Sequence, residues 1–233
     1  MSGDSHNEFS EITESLVEQK VIERMGQISS ELAHDLRSPL QTIQNAIYLI
    51  EKDPENKLLY SMVRQSLAQA TEILDSFREY YKSHLIQRLE VDPVKIVELA
   101  LSNLEVPDNV EIVKEMMEVE PVSLDPSKMA LAIRNLLVNA VEAMPSGGEL
   151  RLKLSQSPDE LKIVISDTGT GIPPGIAEII YTPFMSGEKQ GRGLGVPTAK
   201  RIVESHGGEL SFKTETGEGT VWTIWIPRDP VKL

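Results

Sequence analysis

No cysteine occurs in the 233 residues, which excludes disulfides, thiol nucleophiles and thiolate-bound metals. No apolar run approaches the roughly 18 residues of a membrane-crossing helix, and no signal-peptide pattern opens the chain. The stretch therefore reads as soluble and cytoplasmic, with a membrane part upstream left open. Positive charge is in short supply: 23 Lys and Arg face 36 Asp and Glu, a formal net charge of −13. That excess of carboxylates repels phosphate-rich surfaces and argues against nucleic acid or an anionic membrane as a general partner. Any phosphate ligand must be held by a local site. Internal repeats and low-complexity tracts are absent as well.

What remains is an ordinary globular balance, 40% hydrophobic and 25% charged, in a length that allows one or two domains. Residues 1–7 are small and polar and read as a disordered start. From Glu8 to Ile50, Val17, Val21, Met25, Ile28, Leu32, Leu36, Leu40, Ile43, Ile47 and Ile50 recur by threes and fours. Leu59, Val63, Leu67, Ala70, Leu74, Phe77, Tyr81 and Leu85 do the same. Between these runs lies Lys52-Asp53-Pro54-Glu55, a turn whose proline can open the second helix. The spacing predicts two amphipathic helices in a hairpin. One hairpin cannot bury both stripes, whereas two make a four-helix bundle, so a homodimer is expected.

Beyond Asp92 the pattern changes. Pro93–Leu104, Pro126–Ala143 and Leu194–Ser205 carry helical spacing, and Val110–Val113 reads as a short strand. Leu150–Ser155 and Leu161–Ser166 alternate with period two and read as paired strands. Gly207-Gly208 ends the last helix, and Glu209–Thr214 with Thr220–Ile226 closes the chain as a hairpin. The expected fold is an all-α helical hairpin over residues 8–90, followed by an α+β two-layer sandwich over 91–233.

Four groups of residues carry chemistry. His34 lies two positions from both Leu32 and Leu36, so it points away from that seam, with Asp35 beside it and Ser38 one turn on. Pro39 leaves the Asp35 carbonyl without its helical N–H and should bend the helix there. A carboxylate can take the proton of one imidazole nitrogen and leave the other free as a nucleophile. Taken alone, such a histidine is more often a plain surface residue. Asn135 and Asn139 share one helix face, and an amide oxygen suits Mg²⁺ that already carries phosphates. An ordinary surface pair has the same spacing. Asp167-Thr168-Gly169-Thr170-Gly171-Ile172 follows a strand, where a carboxylate can accept the amino group of adenine and the glycines let backbone approach a flat base. Many turns share that pattern. Gly191-Arg192-Gly193-Leu194-Gly195 opens a helix and offers N–H groups to an anion, but it lacks the P-loop ending and does not follow a strand. Pro173–Gln190 could be a mobile lid over a nucleotide.

Ala33–Leu40 (AHDLRSPL), Asn135–Gly148 (NLLVNAVEAMPSGG), Asp167–Ile172 (DTGTGI), Pro183-Phe184 and Gly191–Gly195 (GRGLG) occur in that order. Together they resemble a sensor histidine kinase: a dimerisation and phosphoacceptor hairpin, then an ATP-binding domain of the gyrase, Hsp90, histidine kinase and MutL type. The resemblance spans about residues 25–228. It implies an ATP-dependent kinase that phosphorylates its own histidine, followed by transfer to an aspartate in the receiver domain of a response regulator. It implies His34 as phosphoacceptor, Asp35 as its proton acceptor and Asn139 as Mg²⁺ ligand, with Asn135 near the phosphates. Asp167 would bind adenine, supported by Thr220, with room made by Gly169 and Gly171. Gly193, Leu194 and Gly195 would cradle phosphates, and Ala143 and Ile172 fall within the same nucleotide-binding boxes.

The sequence departs from the family pattern in the lid, where Gly187-Glu188 replaces a usual Thr-Lys pair and the lysine stands at Lys189. Arg192 occupies a place where threonine is common, and its guanidinium could supply the missing cation. Ser38 stands where the family often has Thr or Asn, which puts dephosphorylation of the partner in doubt. Pro197 falls in the first turn of its helix and should tighten the start without breaking it. His206 reads as a helix-end residue, and Trp222 and Trp225 as packing. The competing readings are an ATPase of the same fold without phosphotransfer, which has no need of AHDLRSPL, and a nucleotide-binding dimeric scaffold.

Overall fold

The computed structural model describes residues 26, 29–102, 104–185 and 193–228. The chain divides into two compact units, Met1–Asp75 and Ser76–Leu233. Val17, Val21, Met25 and Ile28, the first residues of the expected stripe, lie outside the described residues, as does the start at residues 1–7.

Helix α1 covers residues 29–50 and continues through Pro39. Helix α2, Lys57–Lys82, begins in the first unit and ends in the second. Pro54 does not open α2: it sits in the turn, and Asn56 caps the helix by accepting the Leu58 N–H on its side-chain oxygen at 3.2 Å. An inner seam runs along the hairpin. On α1 it includes Leu36, Pro39, Ile43 and Ala46, and on α2 it includes Leu59, Val63, Ser66, Ala70 and Ile73. Leu40, Ile47, Leu67 and Leu74, further members of the stripes, are 54%, 49%, 57% and 49% exposed in the single chain.

The second unit is built on a five-stranded sheet in the order β2-β4-β5-β7-β6, with β2 parallel to β4 and the other pairs antiparallel. Its strands are β2 (Val110–Met116), β4 (Gly148–Gln156), β5 (Glu160–Asp167), β6 (Glu209–Glu215) and β7 (Gly219–Pro227). Two further strands, β1 (Leu89–Val91) and β3 (Val122–Leu124), pair antiparallel beside it. Helices α3 (Pro93–Ser102), α4 (Pro126–Glu142) and α6 (Gly195–Ser205) complete the sandwich, with a short α5 (Pro174–Ala177) between β5 and α6.

Period-two alternation decides which face is covered. Leu150, Leu152 and Leu154 on β4 are fully buried, while Arg151 and Lys153 face out. The register sets inner residues in rows across the sheet. One row runs Leu154, Ile163, Ile224, Leu210, and the next Leu152, Ile165, Trp222, Phe212. The last inner row changes character: Leu150 is followed by Asp167, Thr220 and Thr214. Helix α4 covers this face with Met129, Ile133, Leu136 and Leu137, all fully buried. Each such aliphatic side chain contributes about 1.5–3 kcal/mol by leaving water. Asp125 caps α4, its Oδ1 accepting the Lys128 N–H at 3.0 Å, and Pro126 occupies the first turn.

Candidate functional site

On α1, His34 is 79% exposed, and its Nδ1 lies 3.3 Å from Asp35 Oδ1. A neutral imidazole that donates Nδ1–H to the carboxylate carries its lone pair on Nε2. Nε2 has no protein partner among the described residues. Ser38 is exposed one turn further on, and its carbonyl accepts the Thr42 hydroxyl at 3.1 Å. Glu31, a turn before Asp35, has its carboxyl pushed up by partial burial and by the Asp35 charge.

In the second unit, the polar row forms one group. Asp167 ends β5 at 6% exposure, and its Oδ1 accepts the N–H of Gly169 at 2.9 Å and of Thr220 at 3.2 Å. Burial raises its pKa, and those two N–H groups pull it back down. Among the described residues both hydrogen bonds fall on Oδ1.

The loop after Asp167 is threaded between α4 and the β6–β7 turn. Thr170 donates its N–H to Ala143 at 3.0 Å, and Gly217 donates to Thr170 at 2.8 Å. A side chain at 169 would meet the Ala143 carbonyl oxygen at 2.5 Å, so only glycine fits there. Gly171 adopts φ +67, and a Cβ there would meet the Glu215 carbonyl at 2.2 Å. Ile172 donates its N–H to Thr214 Oγ1 at 2.8 Å.

A second group lies on α4, one turn before Ala143. Asn135 Nδ2 donates to the Gly195 carbonyl at 3.2 Å, and Asn139 Oδ1 lies 3.8 Å from where a Cβ on Gly195 would stand. Both asparagines are therefore set against the start of α6. Leu194 precedes that helix at 5% exposure, and Gly193 adopts φ +63 against the Met185 backbone. Phe184, within the expected lid, donates its N–H to the Gly193 carbonyl at 3.0 Å. Arg192, Lys189 and Gly187-Glu188 lie outside the described residues. Pro197 is buried in the first turn of α6, which runs on unbroken to Ser205.

An amide oxygen beside glycine-rich backbone fits Mg²⁺ that arrives on phosphates. Among the described residues no group of three or more acidic or histidine side chains could hold a bare metal ion. None of the helices described is long and apolar enough to cross a membrane. Trp222 is 2% exposed against Phe212, and Lys162 lies over the Trp225 ring at 4.1 Å, so both tryptophans pack as expected. Sequence reasoning missed Thr214. The closing hairpin held the signal, because ending its strands at Thr214 and Thr220 makes those two residues face each other.

Residues 124–230 match the family described as histidine kinase-, DNA gyrase B- and HSP90-like ATPase. The chain is 27% identical over 227 residues to the sensor histidine kinase ZraS of Salmonella typhimurium, covering 93% of this chain and 49% of that protein. It is 29% identical over 222 residues to sporulation kinase D of Bacillus subtilis, covering 90% and 43% respectively. It thus spans about half the length of these curated relatives. The fold is that of the histidine kinase ThkA solved with the response regulator protein TrrA, with a TM-score of 0.74 at 22% identity over 97% of this chain and 68% of the other. The Acinetobacter baumannii histidine kinase AdeS gives 0.69 at 19% identity, over 84% of this chain and 98% of that one.

Proposed function

We propose, from the premise that this chain is of the sensor histidine kinase type with its ATPase domain over residues 124–230, that it moves the γ-phosphoryl of ATP to His34 and then to an aspartate of a response regulator. The observation that carries this reading is the exposed imidazole whose Nδ1 faces Asp35, leaving Nε2 open. An enzyme that only hydrolysed ATP would have no use for that pair.

Asp167 Oδ2 accepts the 6-amino group of adenine, and Gly169 and Gly171 bring backbone close to the base. The α6 N-terminus, after Gly193 and Leu194, supplies N–H groups to the phosphate chain. Asn139 holds the Mg²⁺ that accompanies the phosphates, and Asn135 keeps the Gly195 backbone in register with it. The metal supplies neutralisation of phosphate charge. His34 Nε2 then attacks the γ-phosphorus in line: the N–P bond forms, the bond to the bridging oxygen breaks, and ADP leaves with that electron pair. Asp35 takes the Nδ1 proton, so the ring does not stay cationic. Phosphoryl on nitrogen is labile, which suits onward transfer to a carboxylate.

The working unit is a homodimer. Leu40 and Ile47 on α1, and Leu67 and Leu74 on α2, repeat at seven-residue steps and stay about half exposed. A second hairpin covers such stripes.

Incubation with γ-labelled ATP and Mg²⁺ tests the reading. The wild-type chain should take up covalent label, and Asn139→Ala should abolish it. An unlabelled wild type contradicts the kinase, and full labelling of Asn139→Ala contradicts the metal assignment.

A further inference from the structure

The Thr214 hydroxyl touches three groups, and those contacts fix where its proton points. Thr214 Oγ1 lies 2.8 Å from the Ile172 N–H, 3.1 Å from the Gly219 carbonyl oxygen and 3.0 Å from Thr220 Oγ1. A hydroxyl has one proton and two lone pairs. The Ile172 N–H can only donate, so it takes one lone pair. The Gly219 carbonyl can only accept, so it takes the proton. The Thr220 hydroxyl is left to donate into the second lone pair. One arrangement satisfies all three contacts, and it turns the Thr220 proton toward Thr214, away from its other neighbours.

Thr220 sits directly across from Asp167 on the inner face of the sheet, 4% exposed, and Thr214 sits directly across from Thr220. We propose that Thr214 is a positioning residue for nucleotide choice: by holding the Thr220 proton it leaves the base site beside Asp167 lined with acceptors only. Lone pairs on Thr220 Oγ1 and Asp167 Oδ2 match the 6-amino group of adenine, a donor, and oppose the 6-oxo group of guanine, an acceptor. Removing the Thr214 hydroxyl frees the Thr220 proton and gives the site a donor that guanine can use. The same hydroxyl holds Ile172, so the loop carrying Gly169 and Gly171 is tied to the choice. This inference rests on the nucleotide-binding reading above.

The test is the ratio of ATP to GTP affinity, measured by calorimetric titration in Mg²⁺ on the wild-type chain, Thr214→Val and Thr214→Ser. Valine keeps the shape and lacks the hydroxyl, and serine restores it. The ratio should narrow roughly three- to tenfold in Thr214→Val, the worth of one hydrogen bond, and return to the wild-type value in Thr214→Ser. If Thr214→Val does not fold, Thr214→Ala is read by the same ratio. A wild-type ratio in the variant lacking the hydroxyl overturns the proposal, as does a narrowed ratio that serine fails to restore. Asp167→Asn separates the two layers of the argument. ATP binding that depends on Asp167 while Thr214→Val changes nothing removes Thr214's role and leaves the nucleotide site standing. A wild type that binds neither nucleotide overturns both.

Discussion

His206 is fully buried at the end of α6, and both of its ring nitrogens are committed. Nε2 accepts the Asp125 N–H at 3.0 Å, and Nδ1–H donates to the Ile202 carbonyl at 2.7 Å. That leaves no nitrogen for catalysis and confirms the helix-end role read from Gly207-Gly208. Asp125 in turn caps α4 and accepts the Gln87 N–H on Oδ2 at 2.7 Å, so one buried pair joins α4, α6 and the segment after α2. Burial pushes the imidazole below its usual 6.5, helped by the Arg88 charge and opposed by the Ile202 hydrogen bond and the Asp125 charge. A group whose folded pKa is depressed contributes stability that is intact above its unfolded value and lost as pH falls. Stability should therefore be flat in this respect above about pH 6.5 and fall below it, by at most about 1.4 kcal/mol per pH unit for one proton. Thermal melts of wild type and His206→Gln between pH 7.5 and 5.5 check this. The variant should melt lower at pH 7.5 and lose less on acidification; equal slopes would contradict the account.

Long periodic elements were readable from the sequence, and their partners were less so. Helix α2, the described part of α1, α4, α6, β4, β5 and the closing hairpin stand close to where hydrophobic spacing puts them. Spacing alone did not say which part of each apolar stripe the hairpin covers by itself. Spacing arguments follow large aliphatics, whereas the buried residues of the hairpin include the small Ala46, Ser66 and Ala70. Leu67 and Leu74 carry the stronger hydrophobic signal and face away from that seam. Strands β1 and β3 have three residues each, too few for alternation to register. β2 is longer than its readable core because parallel pairing to β4 extends it to Met116. At the site, Asp167, the glycines and the asparagines were readable because their chemistry is local. Thr214 was not singled out, since its meaning comes from a cross-strand register with Thr220 and from a loop forty residues away in sequence, at Ile172.

Taken as a whole, the molecule carries an exposed histidine on a helical unit and a polar row around Asp167 on a sheet unit. Leu40, Ile47, Leu67 and Leu74 stay half exposed in the single chain, and the proposed homodimer covers them. Sedimentation equilibrium should give twice the 25.9 kDa chain mass. The double variant Leu67→Glu with Leu74→Glu should sediment as a monomer with its sheet unit still folded, because isolated carboxylates facing an apolar seam cost several kcal/mol. A wild type that stays monomeric at every concentration contradicts the four-helix arrangement.

The central claim is that His34 is the atom-for-atom destination of the γ-phosphoryl group. The measurement that meets it most directly follows covalent label from γ-labelled ATP and Mg²⁺ in the wild-type chain beside His34→Gln, with each product split between acid and alkali. The account predicts label that survives alkali, disappears in acid and is absent from the variant. Label that persists in His34→Gln, or nucleotide bound and turned over with no label on the protein, would contradict it.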